Sequence, residues 1–243
     1  YFLNDEVMFY SKYSRGHKSG GWNADFMTGG LDNFAYEPES VDSYELGVKS
    51  TLLDDTLRFY ADIWLAEYDA FQVFQRIYNT SGNPSTQLTN AGQVTNQGMD
   101  LEATWIPVDR LQFTLNVAYL DTNYDKFENA DGADYKDNEL PFAPEWKTYV
   151  GVQYIQPLGG LGELAFNVDY SYTDEQYTDP GNLSDDQLDS YDLINGRVTY
   201  TPASQNWELA VWGKNLADDD YERNTTLNAS RTRTVSRGTP LTY

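Results

Sequence analysis

The sequence predicts an all-β fold, the wall of a transmembrane antiparallel up-and-down β-barrel, on three observations. Apolar and polar residues alternate with period two through a series of segments. In residues 98–124, Met99, Leu101, Ala103 and Trp105 interleave with Asp100, Glu102 and Thr104, and Leu111, Phe113, Leu115, Val117 and Tyr119 follow after Pro107-Val108-Asp109. Strand side chains point alternately to opposite faces, so each segment carries one apolar face and one polar face. The connections alternate long and short, and 20 Tyr, 11 Phe and 6 Trp supply the amphipathic rings that gather at membrane interfaces.

Taken in order, a first alternating segment at 7–15 leads into a Gly-rich, aromatic stretch at 16–42. Tyr44, Leu46, Val48 and Leu52 alternate with Glu45, Gly47, Lys49 and Thr51, and Asp54-Asp55 makes a two-residue turn. The cleanest strand puts Leu57, Phe59, Ala61, Ile63 and Leu65 opposite Arg58, Tyr60 and Asp62 and is expected to run to about Ile77. After a polar stretch at 78–91 and the hairpin at 98–124, an acidic loop at 122–144 precedes Trp146, Thr148, Val150, Val152 and Tyr154. The chain turns at 157–160 into Leu164, Phe166, Val168, Tyr170 and Tyr172. A second acidic loop at 174–190 precedes Ile194, Val198 and Tyr200, and a turn at 202–205 leads to Trp207, Leu209 and Val211. The last long connection is 216–230. Short turns at one end and long loops at the other are the pattern of an outer-membrane barrel, whereas a soluble sandwich mixes the two. Ten strands fit this count, the last one incomplete, with the first climbing from the periplasm and residues 1–243 forming one domain.

Composition narrows the function classes. Lys plus Arg total 16 against 38 Asp plus Glu, a formal charge of -22, which disfavours a nucleic-acid partner because phosphate contacts need clustered cations. Without cysteine there is no disulfide framework and no thiolate metal site. No apolar run approaches the roughly 18 to 20 residues of a membrane-spanning helix, whereas a barrel strand needs only about 9 to 11. The chain begins at Tyr1 without Met or a signal peptide, as a mature protein or a piece of one does.

Few residues suggest chemistry. His17, the only histidine, sits in HKSGGWN at the expected tip of the first long loop with no partner for catalysis or metal binding. The Asn129-Ala130-Asp131-Gly132 run has Phe127 where a calcium loop needs its first carboxylate, so it reads as a solvated acidic loop. Arg223, Arg231, Arg233 and Arg237 form the one local excess of positive charge, suited either to gripping an anionic ligand or to pairing with loop acids and lipopolysaccharide phosphates. Trp22, Phe26, Phe71, Phe74 and Tyr177 are the candidates for an aromatic vestibule, with interface girdle positions as the competing assignment. Arg223, Arg231, Arg233, Trp22 and Tyr177 are the candidate ligand-binding residues. No catalytic residue and no cofactor is implied.

Five stations occur in order along the chain: Tyr44-Glu45-Leu46-Gly47-Val48-Lys49-Ser50; Asn90-Ala91-Gly92 followed by Gly98-Met99-Asp100-Leu101-Glu102; Phe142-Ala143-Pro144-Glu145-Trp146; Asn215-Leu216 with Asp218 and Tyr221; and Arg237-Gly238-Thr239-Pro240. In this the chain resembles the C-terminal half of TonB-dependent outer-membrane receptors. The resemblance implies roughly the last ten strands of a 22-stranded barrel whose N-terminal plug, TonB box and closing half-strand lie outside these residues. It further implies a place in the outer membrane of a Gram-negative bacterium, contact with lipid and lipopolysaccharide, and uptake energised by TonB through the plug. Cargo would pass the polar faces carrying Arg58, Asp62, Asp100, Glu102, Asn116, Lys147, Asn167, Asp169, Arg197 and Lys214. A ferric siderophore is the expected cargo, with vitamin B12 or a glycan open. A passive diffusion porin is the alternative; an outer-membrane hydrolase is disfavoured by the lone His17.

Overall fold

The computed structural model describes residues 1–23, 35–78, 84–127, 132–227 and 232–243. Along the chain run β1 (Val7–Lys18), β2 (Gly21–Trp22), β3 (Ala35–Tyr36), β4 (Glu39–Leu52), β5 (Leu57–Asp69), β6 (Gln72–Tyr78), β7 (Pro84–Asn90), β8 (Gln93–Val108), β9 (Leu111–Lys126), β10 (Trp146–Pro157), β11 (Glu163–Thr173), β12 (Gln176–Tyr177), β13 (Gln187–Leu188), β14 (Tyr191–Thr201), β15 (Leu209–Gly213), β16 (Glu222–Leu227) and β17 (Arg233–Arg237). Nine of these form one antiparallel sheet in the order β1-β4-β5-β8-β9-β10-β11-β14-β15. The remaining eight pair two by two, as ribbons within the long connections. No described helix is long and apolar enough to cross a membrane.

The alternation read from the sequence becomes two opposite faces. One cross-strand row is Phe59, Ala103, Leu115, Val150, Tyr170 and Ile194; another, on the other side, is Lys49, Tyr60, Glu102, Asn116, Tyr149 and Ser171. The apolar face is bounded by rings at both ends. Tyr13 packs on Tyr44 and Tyr119 on Trp146 towards the long loops, at 5.4 and 4.8 Å between centroids, while Trp105 packs on Phe113 and Tyr200 on Trp207 towards the short turns.

Strand ends depart from the sequence pattern in one direction. β1 runs to Lys18, β4 begins at Glu39 and β9 continues to Lys126, so the long connections are shorter than the hydropathy suggested. Beyond the ring belt both faces are wet, so the period-two signal fades while the backbone ladder continues. His17 therefore lies in β1, opposite Ser40, and not at a loop tip. The strand expected to reach Ile77 breaks at Ala70, whose φ is 54°, and the chain goes on as the β6–β7 ribbon. The turn expected at 107–109 is Asp109-Arg110, because a register shift between Trp105 and Val108 absorbs Pro107, which has no N–H to give the ladder.

The expected ten strands are nine wall strands plus pairing at both edges. Thr242 exchanges two backbone hydrogen bonds with Lys214, at 2.8 and 3.1 Å, which starts a tenth strand against β15. At the other edge Tyr1 and Phe9 exchange a second such pair, and Asn4 Oδ1 accepts from the backbone of Glu6 and Val7 in the turn between them.

Candidate ligand path on the polar face

Two of the sequence stations are explained by what stands on the polar face. In the first, Glu45, Gly47 and Lys49 alternate on that face. A Cβ on Gly47 would meet the Tyr10 ring at 2.4 Å, so the missing side chain is what lets Tyr10 lie flat on the sheet. Tyr10 Oη donates to Glu45 Oε1 at 2.5 Å and lies 2.7 Å from Tyr60 Oη, while Lys49 Nζ sits over both rings. Gly98 does the same for Trp64, whose Nε1 donates to Asp100 Oδ2 at 3.0 Å. Asp62, opposite Asp100, is 7% exposed. The Asp100 carboxylate thus takes its hydrogen bond from a neutral indole donor, whereas Glu45 accepts from the Tyr10 hydroxyl on one oxygen and pairs with Lys12 Nζ at 3.4 Å on the other.

Two depressions occupy this face. One, of about 580 Å³, is bordered by Lys49, Arg58, Tyr60 and Thr104; the other, of about 350 Å³, by Asp100, Lys147, Tyr149 and Ser171. Glu102 and Asn116 border both, so the two are contiguous along the sheet. Both signs of charge line this track, which suits a hydrated, polar cargo.

The loop ends are tied together by amides. Asn90 Oδ1 accepts from Glu37 N at 2.7 Å, and its Nδ2 donates to the carbonyls of Glu37 and Ala70; the Gln72 Nε2 donates to those of Ser19 and Glu37. Ala91 is fully buried beside them, within a core of Val73, Val94, Tyr124 and Phe127 against which Tyr68, Phe71, Tyr135 and Leu140 pack. Asn215, 2% exposed, bridges the carbonyls of Asp219 and Thr239 and accepts from Asp219 N, while the Tyr221 ring fills the space a Gly238 side chain would need. In the acidic loop, burial and then the nearby Glu145 and Glu175 carboxylates push the Glu139 carboxyl above its usual range.

Of the candidate ligand residues, Arg223 and Arg233 share the β16–β17 ribbon, and Tyr177 pairs with Gln187, whose carbonyl accepts from Arg233. Arg233 makes bonds of 3.1 and 2.5 Å to the Glu222 carboxylate and donates to the carbonyls of Asp185 and Gln187, so its guanidinium is occupied between β16–β17 and the 174–190 loop. Arg237 pairs with Asp220. Arg223 is exposed on β16, and Arg231 lies outside the described residues, as do Phe26 and Asn129-Ala130-Asp131. Trp22 is 77% exposed on the β2–β3 ribbon; Phe74 is exposed on β6. Tyr177 is half-buried, its carbonyl accepting from Phe142 N at 2.8 Å. Phe71 is packed edge-on against Tyr68 and Tyr124, inside the loop core. The Tyr10–Tyr60–Glu45–Lys49 cluster was missed because its members come from three strands; the Glu45, Gly47, Lys49 alternation was the signal for it.

A family model described as "TonB dependent receptor-like, beta-barrel" matches residues 1–216. The chain belongs to this family. Over 232 residues it is 25% identical to the pesticin receptor of Yersinia pestis, covering 95% of this chain and 32% of that one. It is 27% identical over 225 residues to the ferric-pyoverdine M114 receptor PbuA of Pseudomonas sp. strain M114, covering 90% and 25%. The crystal structure of the ferric yersiniabactin uptake receptor FyuA from Yersinia pestis superposes with a TM-score of 0.82 at 20% identity, over 99% of this chain and 34% of that one. The chain thus spans a quarter to a third of the length of these receptors. It is a portion of a TonB-dependent receptor barrel wall in the outer membrane of a Gram-negative bacterium, which makes the apolar face the lipid face and the polar face the lumen side.

Proposed function

We propose that this chain is part of the wall and entrance of a receptor that takes up a scarce nutrient by TonB-dependent active transport, with a ferric siderophore as cargo. The observation carrying this is the pair of contiguous depressions on the lumen face of a family barrel, lined by both signs of charge and joined at Glu102 and Asn116. Cargo binds at the loops, TonB in the inner membrane acts through the plug, and the cargo moves past the polar wall; no covalent chemistry is involved. The names of two relatives, a ferric-pyoverdine receptor and a probable TonB-dependent siderophore receptor, support a siderophore over vitamin B12 or a glycan. The test is accumulation of a labelled ferric siderophore by cells carrying the whole receptor, with and without TonB. Uptake that vanishes without TonB is expected, and uptake that persists unchanged would make the protein a passive diffusion porin.

A further inference from the structure

The base of the β6–β7 ribbon is folded onto the lumen side of the wall. Val94, Asn96 and Tyr124 have the strand parity of Asp100, Glu102 and Asn116, and Tyr68 has that of Tyr60 and Asp62, so all four face the lumen. Val94 stands opposite Tyr68 on β5 and Tyr124 on β9. Asn96, two residues further along, is the diagonal neighbour of both, about 7–8 Å away. The ribbon leaves the wall at Ala70, whose φ is 54°, and Val73 is buried in one cluster with Val94, Tyr124 and Phe127.

Polar atoms are stranded in this joint. Tyr124 is fully buried, yet its Oη has no hydrogen-bond partner. Asn96 Oδ1 is buried and unpartnered as well, and so is Oε1 of Gln72 on the ribbon itself; these are three of the four such side-chain atoms among the described residues. A buried polar atom without a partner destabilises the arrangement that buries it. The rings beside these atoms meet at steep angles: Phe71 lies edge-on to Tyr68 at 5.4 Å and to Tyr124 at 6.4 Å between centroids. Withdrawal of Val73 leaves an opening bounded by aromatic rings, with one hydroxyl and one amide oxygen at its margin.

We infer that β6–β7 is a lid over a binding site for a hydroxyaryl group, opened when the ribbon lifts at Ala70 and Val73 leaves Val94, Tyr124 and Phe127. Tyr68, Phe71 and Tyr124 supply apolar surface that packs against a flat ring. The hydroxyl on that ring donates to Asn96 Oδ1 and accepts from Tyr124 Oη, so one phenolic group satisfies both stranded wall atoms. A ligand that binds only the open form shifts the lid by its preference for that form. The inference builds on the uptake reading by naming the chemistry of the group that the cargo presents to the wall.

The experiment measures binding of phenol, with cyclohexanol as the saturated control, to the whole receptor in detergent without iron, by saturation-transfer NMR. Wild type should bind phenol weakly and cyclohexanol more weakly still. Val73→Ser loosens the lid and should raise phenol affinity about fivefold, because apparent affinity scales with the open fraction. Asn90→Ala, which removes the ribbon's bonds to Glu37 and Ala70, should do the same. It decides the matter if Val73→Ser fails to fold, as heat-modifiable electrophoretic migration reports. Asn96→Ala added to the loosened variant should return the affinity to the wild-type level or below. Absent or unchanged phenol binding in a folded loosened variant, no effect of Asn96→Ala, or equal binding of the two alcohols overturns the assignment. The probe carries no iron and uptake is not read, so the transport proposal stands or falls separately.

Discussion

The indole of Trp64 lies over the bare backbone of Gly98: a Cβ there would be 2.7 Å from Trp64 Cζ2 and 2.5 Å from the Tyr119 carbonyl oxygen. Gly98→Ala should therefore displace the ring, break its bond to Asp100 and cost about 1–3 kcal/mol, as overpacking at a close contact does. The check is denaturant unfolding of the refolded whole receptor in lipid, with tryptophan emission moving in the native baseline.

Adjacent residues should respond oppositely to the same change. Leu115 faces lipid and Asn116 the lumen, so Leu115→Arg should cost about 2–4 kcal/mol near the bilayer centre whereas Asn116→Arg should cost far less. Urea titration of folding into liposomes distinguishes the two; equal costs would reverse or abolish the assignment of faces.

Arg233 is expected to act as a tie between loops. Arg233→Ala removes its bonds to Glu222 and to two carbonyls of the 174–190 loop, and each charge-assisted bond contributes about 1.5–3 kcal/mol at most in a setting so near water. Proteolysis within 174–190 should accelerate several-fold while the barrel's thermal transition stays put. Unchanged cleavage combined with lost ligand binding would instead assign Arg233 to the cargo.

The 132–145 loop should grow firmer on acidification. The Glu139 carboxyl is raised above its usual range by burial, so the native state favours its protonated form. That stabilisation is fully present below the unfolded value of about 4.3 and is lost as pH rises through the raised native value. Hydrogen exchange in this loop should slow as pH falls from neutral towards the unfolded value of about 4.3, after correction for the intrinsic rate. Glu139→Gln should remove that dependence and protect the loop at pH 7, since the bonds of Asn182 to the Glu139 backbone are untouched.

What the sequence made legible follows from where water is. Within the membrane the two faces meet different solvents, so Phe59 and Tyr60 or Leu115 and Asn116 announce their sides by chemistry alone. Beyond the ring belt both faces are wet, which is why the continuation of β9 to Lys126 and the return strand β7 left no periodic trace, while β6 was read as the end of the strand expected to reach Ile77. The polar cluster was half legible: Asp62, Asp100 and Glu102 stood out as charges in neighbouring strands and Tyr60 was placed on their side, but nothing joined Tyr10 to them until the sheet laid it beside Glu45 and Tyr60. The arginines were left between gripping an anion and pairing with loop acids, and Arg233 and Arg237 do pair with acids. Their clustering in the chain is real, yet Glu222 and Asp220, only eleven and seventeen residues before their partners, come alongside once β16 and β17 pair.

The break at Ala70 has a mechanical side. Two hydrogen bonds cross it, Ala70 N to the Gly92 carbonyl and Ala91 N to the Phe71 carbonyl, at 2.8 and 2.7 Å, and they keep both strands in step where the ribbon leaves the sheet. Sliding of one strand past the other would break both, whereas a tilt about the line joining residues 70 and 91 breaks neither. A load applied to the far end of β6–β7 therefore acts as torque about one fold line, and it reaches the wall there, through the Asn90 and Gln72 amides, and through Val73 packed against Tyr124 and Phe127.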